Sequence, residues 1–247
     1  MSRRLCFLVV ALLSSSVFAI DPFLIRGRET KSTEFEEIVK IENSTGHCTA
    51  TIVGKETLIT AAHCGKNKEK IYFEYKSKAY RGTLYKDTSD TLDLALVVTS
   101  SELPVTKPVE IGGIAKTGQT ISMLGYGCSK PQTQQEDEDE LKFFFPQEEE
   151  NYALRYGKAT IRKISGSEMF TYSTSEAAGC SGDSGGPALL ESKGKSPQLL
   201  GVLSKADLSS ATQIVRLDWS DSKKLIKTLA TDNGVDVCGV TKTCTKK

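Results

Sequence analysis

The stretch Gly179-Cys180-Ser181-Gly182-Asp183-Ser184-Gly185-Gly186-Pro187 sets Ser184 among four glycines. Glycine adopts backbone angles that other residues avoid, so a serine in such company is ordinarily part of a turn. Two distant stretches change that reading. Thr60-Ala61-Ala62-His63-Cys64 supplies a histidine, and Thr91-Leu92-Asp93-Leu94-Ala95-Leu96 supplies a carboxylate in apolar surroundings. A serine hydroxyl alone is a weak nucleophile. A histidine must take its proton, and a buried carboxylate must hold that histidine in the right tautomer.

In the order His63, Asp93, Ser184 the chain resembles the chymotrypsin-like (trypsin-fold) serine endopeptidases, from about Ile25 to about Asp232. The resemblance implies an all-β fold: two six-stranded antiparallel β-barrels with the active site between them, and a C-terminal helix. It implies that Ser184 attacks the scissile carbonyl, His63 carries the proton and Asp93 orients His63. The backbone N–H groups of Gly182 and Ser184 match the family's oxyanion hole. Ser204, in Gly201-Val202-Leu203-Ser204, matches the serine that hydrogen-bonds the catalytic aspartate and lines the cleft.

In this family a cut releases a new N-terminus, whose amine pairs with the Asp before the nucleophile. Ile25 is the expected N-terminus and Asp183 its partner. Such a buried ion pair is costly unless both members meet, which makes it a switch. The pattern departs from the family at Arg26 and Arg28, which flank a single Gly27 where Val and two glycines are usual. Ile20 competes as the mature N-terminus.

For specificity, the trypsin pocket carries Asp six positions before the nucleophile, and Ala178 stands there. The segment Lys205-Ala206-Asp207-Leu208 departs from the usual Trp-Gly pattern. With Ala178, Gly179, Ser204 and Ala206 as pocket residues, a small or apolar side chain is expected before the cleaved bond rather than Arg or Lys. Asp207 leaves open a charge on another wall. An apolar preference would also let the enzyme cut after Leu24 itself.

The 247 residues read as one or two domains, and the formal net charge of +1 gives no bulk pull toward nucleic acid or anionic membrane. Arg3 and Arg4, an apolar run from Leu5 to Leu13, and Ser14 to Ala19 describe a secretory signal peptide cleaved after Ala19. The apolar run is too short to span a bilayer, which takes roughly 20 residues. The expected organisation is a signal peptide over 1–19, a propeptide over 20–24, a peptidase domain over 25–232 and a tail over 233–247. Of seven cysteines, Cys6 leaves with the signal peptide. The even set Cys48, Cys64, Cys128, Cys180, Cys238 and Cys244 in an exported chain favours disulfides over metal ligands, and six cysteines allow fifteen pairings. The resemblance implies Cys48–Cys64 around the catalytic histidine. It also places the loops of Cys128 and Cys180 as neighbours, leaving Cys238–Cys244 as a clasp in the tail. The expectation is a secreted (extracellular or periplasmic) monomer without metal or cofactor, acting on protein or peptide substrates and met by protein inhibitors. The rival is a catalytically silent binding protein on the same fold.

Short apolar and β-branched runs separated by polar turns read as strands over 35–42, 48–54, 57–62, 71–75, 81–85, 92–98, 121–127, 154–164, 188–190, 199–203 and 213–217. Residues 220–231 have helical spacing. Residues 132–151 hold two acidic blocks around Phe143-Phe144-Phe145-Pro146. They read as an enlarged solvated loop near the active site, with an exosite for basic partners or a calcium site as alternatives. The second histidine, His47, carries no metal motif and reads as structural.

Overall fold

The computed structural model describes residues 24–30, 33–89, 91–128, 153–207 and 209–244. The expected signal peptide and propeptide up to residue 23, the acidic segment within 129–152, and Lys246 and Lys247 lie outside the described residues.

Among the described residues there are fourteen strands, of which twelve build two barrels. The first comprises β2 (Ile38–Glu42), β3 (His47–Ile52), β4 (Thr57–Thr60), β5 (Lys70–Tyr75), β6 (Lys78–Lys86) and β7 (Ala95–Thr99). It closes in the order β2-β3-β4-β7-β6-β5, every pair antiparallel. The second comprises β9 (Thr120–Gly125), β10 (Arg155–Ser165), β11 (Glu168–Tyr172), β12 (Pro187–Leu190), β13 (Gln198–Ala206) and β14 (Ala211–Arg216). It closes as β9-β10-β11-β14-β13-β12, again antiparallel throughout. β1 (Arg28–Glu29) adds to β10, and β8 (Glu110–Ile111) adds in parallel to β13.

The strands form where the sequence alternates. In β5 the side chains of Ile71, Phe73 and Tyr75 point into the barrel, while Lys70, Tyr72 and Glu74 face out. Lys76 and Ser77, at φ 50° and 57°, make the tight turn into β6. β11 was not read from the sequence, for a physical reason. Its inward residues are Met169 and Thr171, while the larger Phe170 and Tyr172 stack outside with centroids 6.0 Å apart. The hydrophobic alternation is therefore inverted.

A few polar contacts hold the barrels together. Thr49 N–H donates to the Ser184 carbonyl at 2.8 Å. Thr49 Oγ1 donates to the Gly182 carbonyl at 2.8 Å and accepts from Tyr126 N–H at 3.0 Å. The Tyr126 hydroxyl donates to the Ile38 carbonyl at 3.1 Å, and burial pushes this phenol up to about 12, so it stays a donor.

The helix α1 (Ser220–Asp232) buries Ser222, Ile226 and Ala230, four residues apart, and Ile226 and Ala230 share a core cluster with the first barrel. The tail beyond it folds back as a strap. Cys238 N–H donates to the Val53 carbonyl at 2.8 Å and its carbonyl accepts from Ile111 N–H at 2.9 Å. Disulfides join Cys48–Cys64, Cys128–Cys180 and Cys238–Cys244, with sequence separations of 16, 52 and 6.

A cross-link restricts the unfolded chain more when it closes a longer loop. Replacing Cys128 and Cys180 by Ser is therefore expected to cost about 4 kcal/mol, and replacing Cys238 and Cys244 about 2 kcal/mol. Denaturant unfolding of the two double variants in the Ser184→Ala background checks the order.

Candidate active site

His63 lies in a single 3-10 turn, Ala62–Cys64, directly after β4. Asp93 lies just before β7, the strand that pairs with β4 in register Thr60↔Ala95. That pairing brings the histidine and carboxylate together across two adjacent strand ends. Asp93 Oδ2 is 2.8 Å from His63 Nδ1, and Asp93 Oδ1 accepts from His63 backbone N–H at 2.9 Å. Ser204 Oγ donates to Asp93 Oδ2 at 2.5 Å from the second barrel. Burial pushes the Asp93 carboxyl up. The bonds from His63 and Ser204 and the His63 charge outweigh it and hold the group below the ordinary carboxylate range. An ionised Asp93 fixes the proton on His63 Nδ1 and leaves Nε2 free to accept another.

Ser184 approaches from the second barrel, and glycine permits the approach. A Cβ on Gly185 (φ +82°) would stand 2.0 Å from Thr60 Oγ1 and 3.0 Å from Ala61 N, so the serine loop lies directly against the segment that leads into His63. Among the described residues no hydrogen bond joins Ser184 Oγ to His63. The backbone N–H groups of Asp183, Gly185 and Gly186 are all engaged, with the carbonyls of Cys180, Leu203 and Asp183. Those of Gly182 and Ser184 donate to nothing among the described residues. Two unengaged donors one residue apart, beside a serine hydroxyl, can receive a negative oxygen. Gly182 (φ +94°) also has no room for a side chain, because its Cβ would meet His47 Nε2 at 2.4 Å. His47 itself sits 3.2 Å from the Tyr126 carbonyl and plays its part behind the serine loop.

Asp183 is fully buried. Its Oδ1 accepts from Gly127 N–H and its Oδ2 from Cys180 N–H, each at 2.8 Å. Both Gly125 and Gly127 lie so close to it that a Cβ on either would overlap the carboxyl group. The buried Arg155 donates to the Gly127 carbonyl and brings a positive charge near Asp183. Ile25 packs on Cys128, Ala178 and Cys180, and its carbonyl accepts from Ala178 N–H at 3.0 Å. Leu24 is also wholly buried, in the core of the second barrel beside Gly157.

The cleft beside Ser184 is lined by Gly179, Cys180, Asp183, Leu203, Ser204, Lys205, Ala206 and Thr212. Its volume is about 20 Å³, roughly the space of one water molecule. A Cβ on Gly179 would already touch Ala206 Cβ and Thr212 Cγ2, both at 3.3 Å. Ala178 is not among the lining residues; its methyl group is taken by the cluster around Ile25. Asp207 is spent on its own turn, accepting from the N–H groups of Ser209, Ser210 and Ala211.

Thr49, Arg155 and Thr212 were not singled out from the sequence. Thr49, next to Cys48, had a positional signal; the other two sit in ordinary strand text.

A profile of the Trypsin family matches residues 24–215. No curated protein sequence matches the chain. Among solved structures it is similar to neuropsin, a serine protease expressed in the limbic system of mouse brain. The TM-score is 0.57 and the identity 18%, over 77% of this chain and 93% of that one.

Burial pushes Asp183 up to about 7 against the two N–H bonds and the Arg155 charge that lower it. Between the ordinary carboxylate range and about 7 the folded chain keeps a proton that the unfolded chain has released. This group's contribution to stability is therefore full below the unfolded value and is lost as the pH rises through about 7. Melting of the uncut Ser184→Ala chain from pH 4 to 8 should fall more steeply than that of the Asp183→Asn, Ser184→Ala chain. Parallel curves would contradict it.

Proposed function

The chain belongs to the trypsin family of serine proteases, and on that premise we propose that it is a secreted serine endopeptidase, made as a zymogen and acting through an acyl-enzyme. Trypsin-family proteases act on protein substrates. The observation that carries the proposal is the pairing of an Asp93-anchored His63 with the two unengaged N–H groups of Gly182 and Ser184. Ser184 Oγ bonds to the scissile carbonyl carbon while its proton passes to His63 Nε2. The oxygen becomes negative and is received by the Gly182 and Ser184 N–H groups. The carbonyl re-forms, the C–N bond breaks, and the leaving amine takes the proton from His63. Water then repeats the sequence on the ester. Ser204 keeps Asp93 in place. The Ser184–His63 bond forms when the cleft is filled, since such bonds are often loose in empty sites.

The narrow cleft supports a small side chain, Gly, Ala or Ser, before the cleaved bond. Gly179, Ala206 and Thr212 leave no slot for Phe, Leu, Arg or Lys, and the Asp207 carboxylate is engaged by the N–H groups of its own turn. Leu24 would not fit either, so activation falls to another protease.

Residues 1–19 leave as the signal peptide, and a second cut within 20–24 exposes the amine that meets Asp183. The sequence reading puts the new terminus at Ile25. The burial of Leu24 favours a terminus one residue earlier, because losing a buried leucine costs about 2–5 kcal/mol. N-terminal sequencing of the active protein separates the two. The silent-binder reading predicts that a fluorophosphonate leaves Ser184 unmodified on the processed chain; the protease reading predicts an adduct there.

Two outcomes are expected from the processed enzyme. Ser184→Ala lowers turnover by about 10⁴-fold or more, as removal of a nucleophile does. Thr212→Ser keeps the acceptor for Gly179 N–H (2.8 Å) and removes the methyl facing it. It should raise the kcat/KM ratio for Val over Ala before the scissile bond by about tenfold, read with paired peptide substrates.

A further inference from the structure

The N-terminal segment carries a side chain whose contacts the protease reading leaves unused. Leu24 and Ile25 are anchored in two separate apolar clusters, and Gly27 N–H closes the turn onto the Leu24 carbonyl at 2.6 Å. From this turn Arg26 reaches outward. Its Nε donates to the Glu176 carbonyl at 2.5 Å, and its Nη2 donates to the carbonyls of Ser173 (2.9 Å) and Ser209 (2.7 Å). The three acceptors belong to two loops. Residues 173–176 run directly into Ala177, Ala178 and the cleft residue Gly179. Residues 207–211 run directly into the cleft residue Thr212. The loops touch one another through Ser173 N–H and the Ser210 carbonyl at 3.0 Å.

Each loop also has ties at its own base, and the two walls meet where Gly179 N–H donates to Thr212 Oγ1 at 2.8 Å. Glu176 accepts from Thr160 N–H and Oγ1 and from Arg162 Nη2. Asp207 gathers the N–H groups of its own turn. Arg26 is the side chain that joins both loops to the N-terminal segment. A planar guanidinium suits this, because its fixed fork can serve several carbonyls at once where a single ammonium cannot.

We propose that Arg26 is a positioning residue that fastens both walls of the substrate cleft to the docked N-terminal segment, and thereby steadies the width that the bond from Gly179 N–H to Thr212 Oγ1 spans. The inference rests on the protease reading for its kinetic consequence but not for its structural one. It is a link by side chain, separate from any pairing between an α-amine and Asp183.

Arg26 has φ +69°, a conformation that glycine adopts freely. Arg26→Gly therefore removes the guanidinium while relaxing the backbone, and Arg26→Lys keeps the charge without the fork. Two measurements on the secreted and then processed protein decide the matter. The first is KM and kcat on a peptide with Ala before the scissile bond. Arg26→Gly should raise KM about tenfold while kcat changes less than twofold, with Arg26→Lys in between. The second is amide hydrogen exchange over 173–176 and 207–211, which should quicken in Arg26→Gly while the strands β4 and β7 keep their protection. Unchanged KM and unchanged exchange in Arg26→Gly overturn the proposal, as does full retention of both by Arg26→Lys. A processed wild-type protein that is inactive and does not react with the fluorophosphonate overturns the protease reading instead. The exchange measurement still decides the role of Arg26.

Discussion

A carboxyl group sealed from water has to be met by donors or by charge, or it gives up its own charge. Asp183 is such a group, and much of the site is arranged around it. Gly125 and Gly127 lack side chains because Asp183 occupies their space. The Cys128–Cys180 bridge holds together the two loops whose N–H groups bond the carboxylate. Arg155 supplies a nearby positive charge from β10 through the Gly127 carbonyl. The next residue in the chain is Ser184, so the conformation that satisfies Asp183 also fixes where the serine N–H and hydroxyl point. The placement of Ser184 thus depends on a polar contact in the interior.

The first barrel contributes His63 and Asp93, and the second contributes Ser184, Gly182 and Ser204. Neither barrel holds a complete site. Their joint combines a shared apolar cluster, with Leu124, Leu189, Leu199, Val202 and Val215 packed on the first barrel's core, and specific polar contacts, among them three hydrogen bonds of Thr49 and one from the Tyr126 hydroxyl. Buried hydrogen bonds of this kind fix register more than they add net stability, because both partners were hydrated before folding. Thr49 therefore matters as an aligner, placing the serine loop against the turn of His63 to within ångströms.

The barrels and the contact of His63 with Asp93 were legible because they depend on local text. Alternating strands such as β5 announce themselves, and the glycine-rich serine loop needs glycine for steric reasons that any sequence must respect. The short β8 and the inverted β11 were not legible, since two residues carry no period and the large side chains of β11 lie outside. Thr212, Arg155 and Thr49 escaped for a different reason. Their importance comes from what the fold brings opposite them, over separations such as the 33 residues between Gly179 and Thr212. Arg26 was visible only as a departure from the family pattern; its three carbonyl partners lie about 150 residues or more away in sequence and could not be read from the segment itself. Ala178 shows the converse, a residue placed by analogy at a pocket floor and used instead to pack against Ile25.

The burial of Leu24 and Ile25 on either side of one peptide bond bears on timing. A proteolytic site accepts an extended, accessible segment, and here the two flanking side chains are locked into separate cores. A processing enzyme working in this stretch must therefore reach it before the segment docks, or wait for it to peel away locally. In the proposed zymogen, maturation is a race between two clocks, the docking of the segment and the encounter with the processing enzyme. Such a zymogen, when it folds faster than it is cut, stays dormant for as long as that local opening is rare, and folding speed then acts as a form of dosage control.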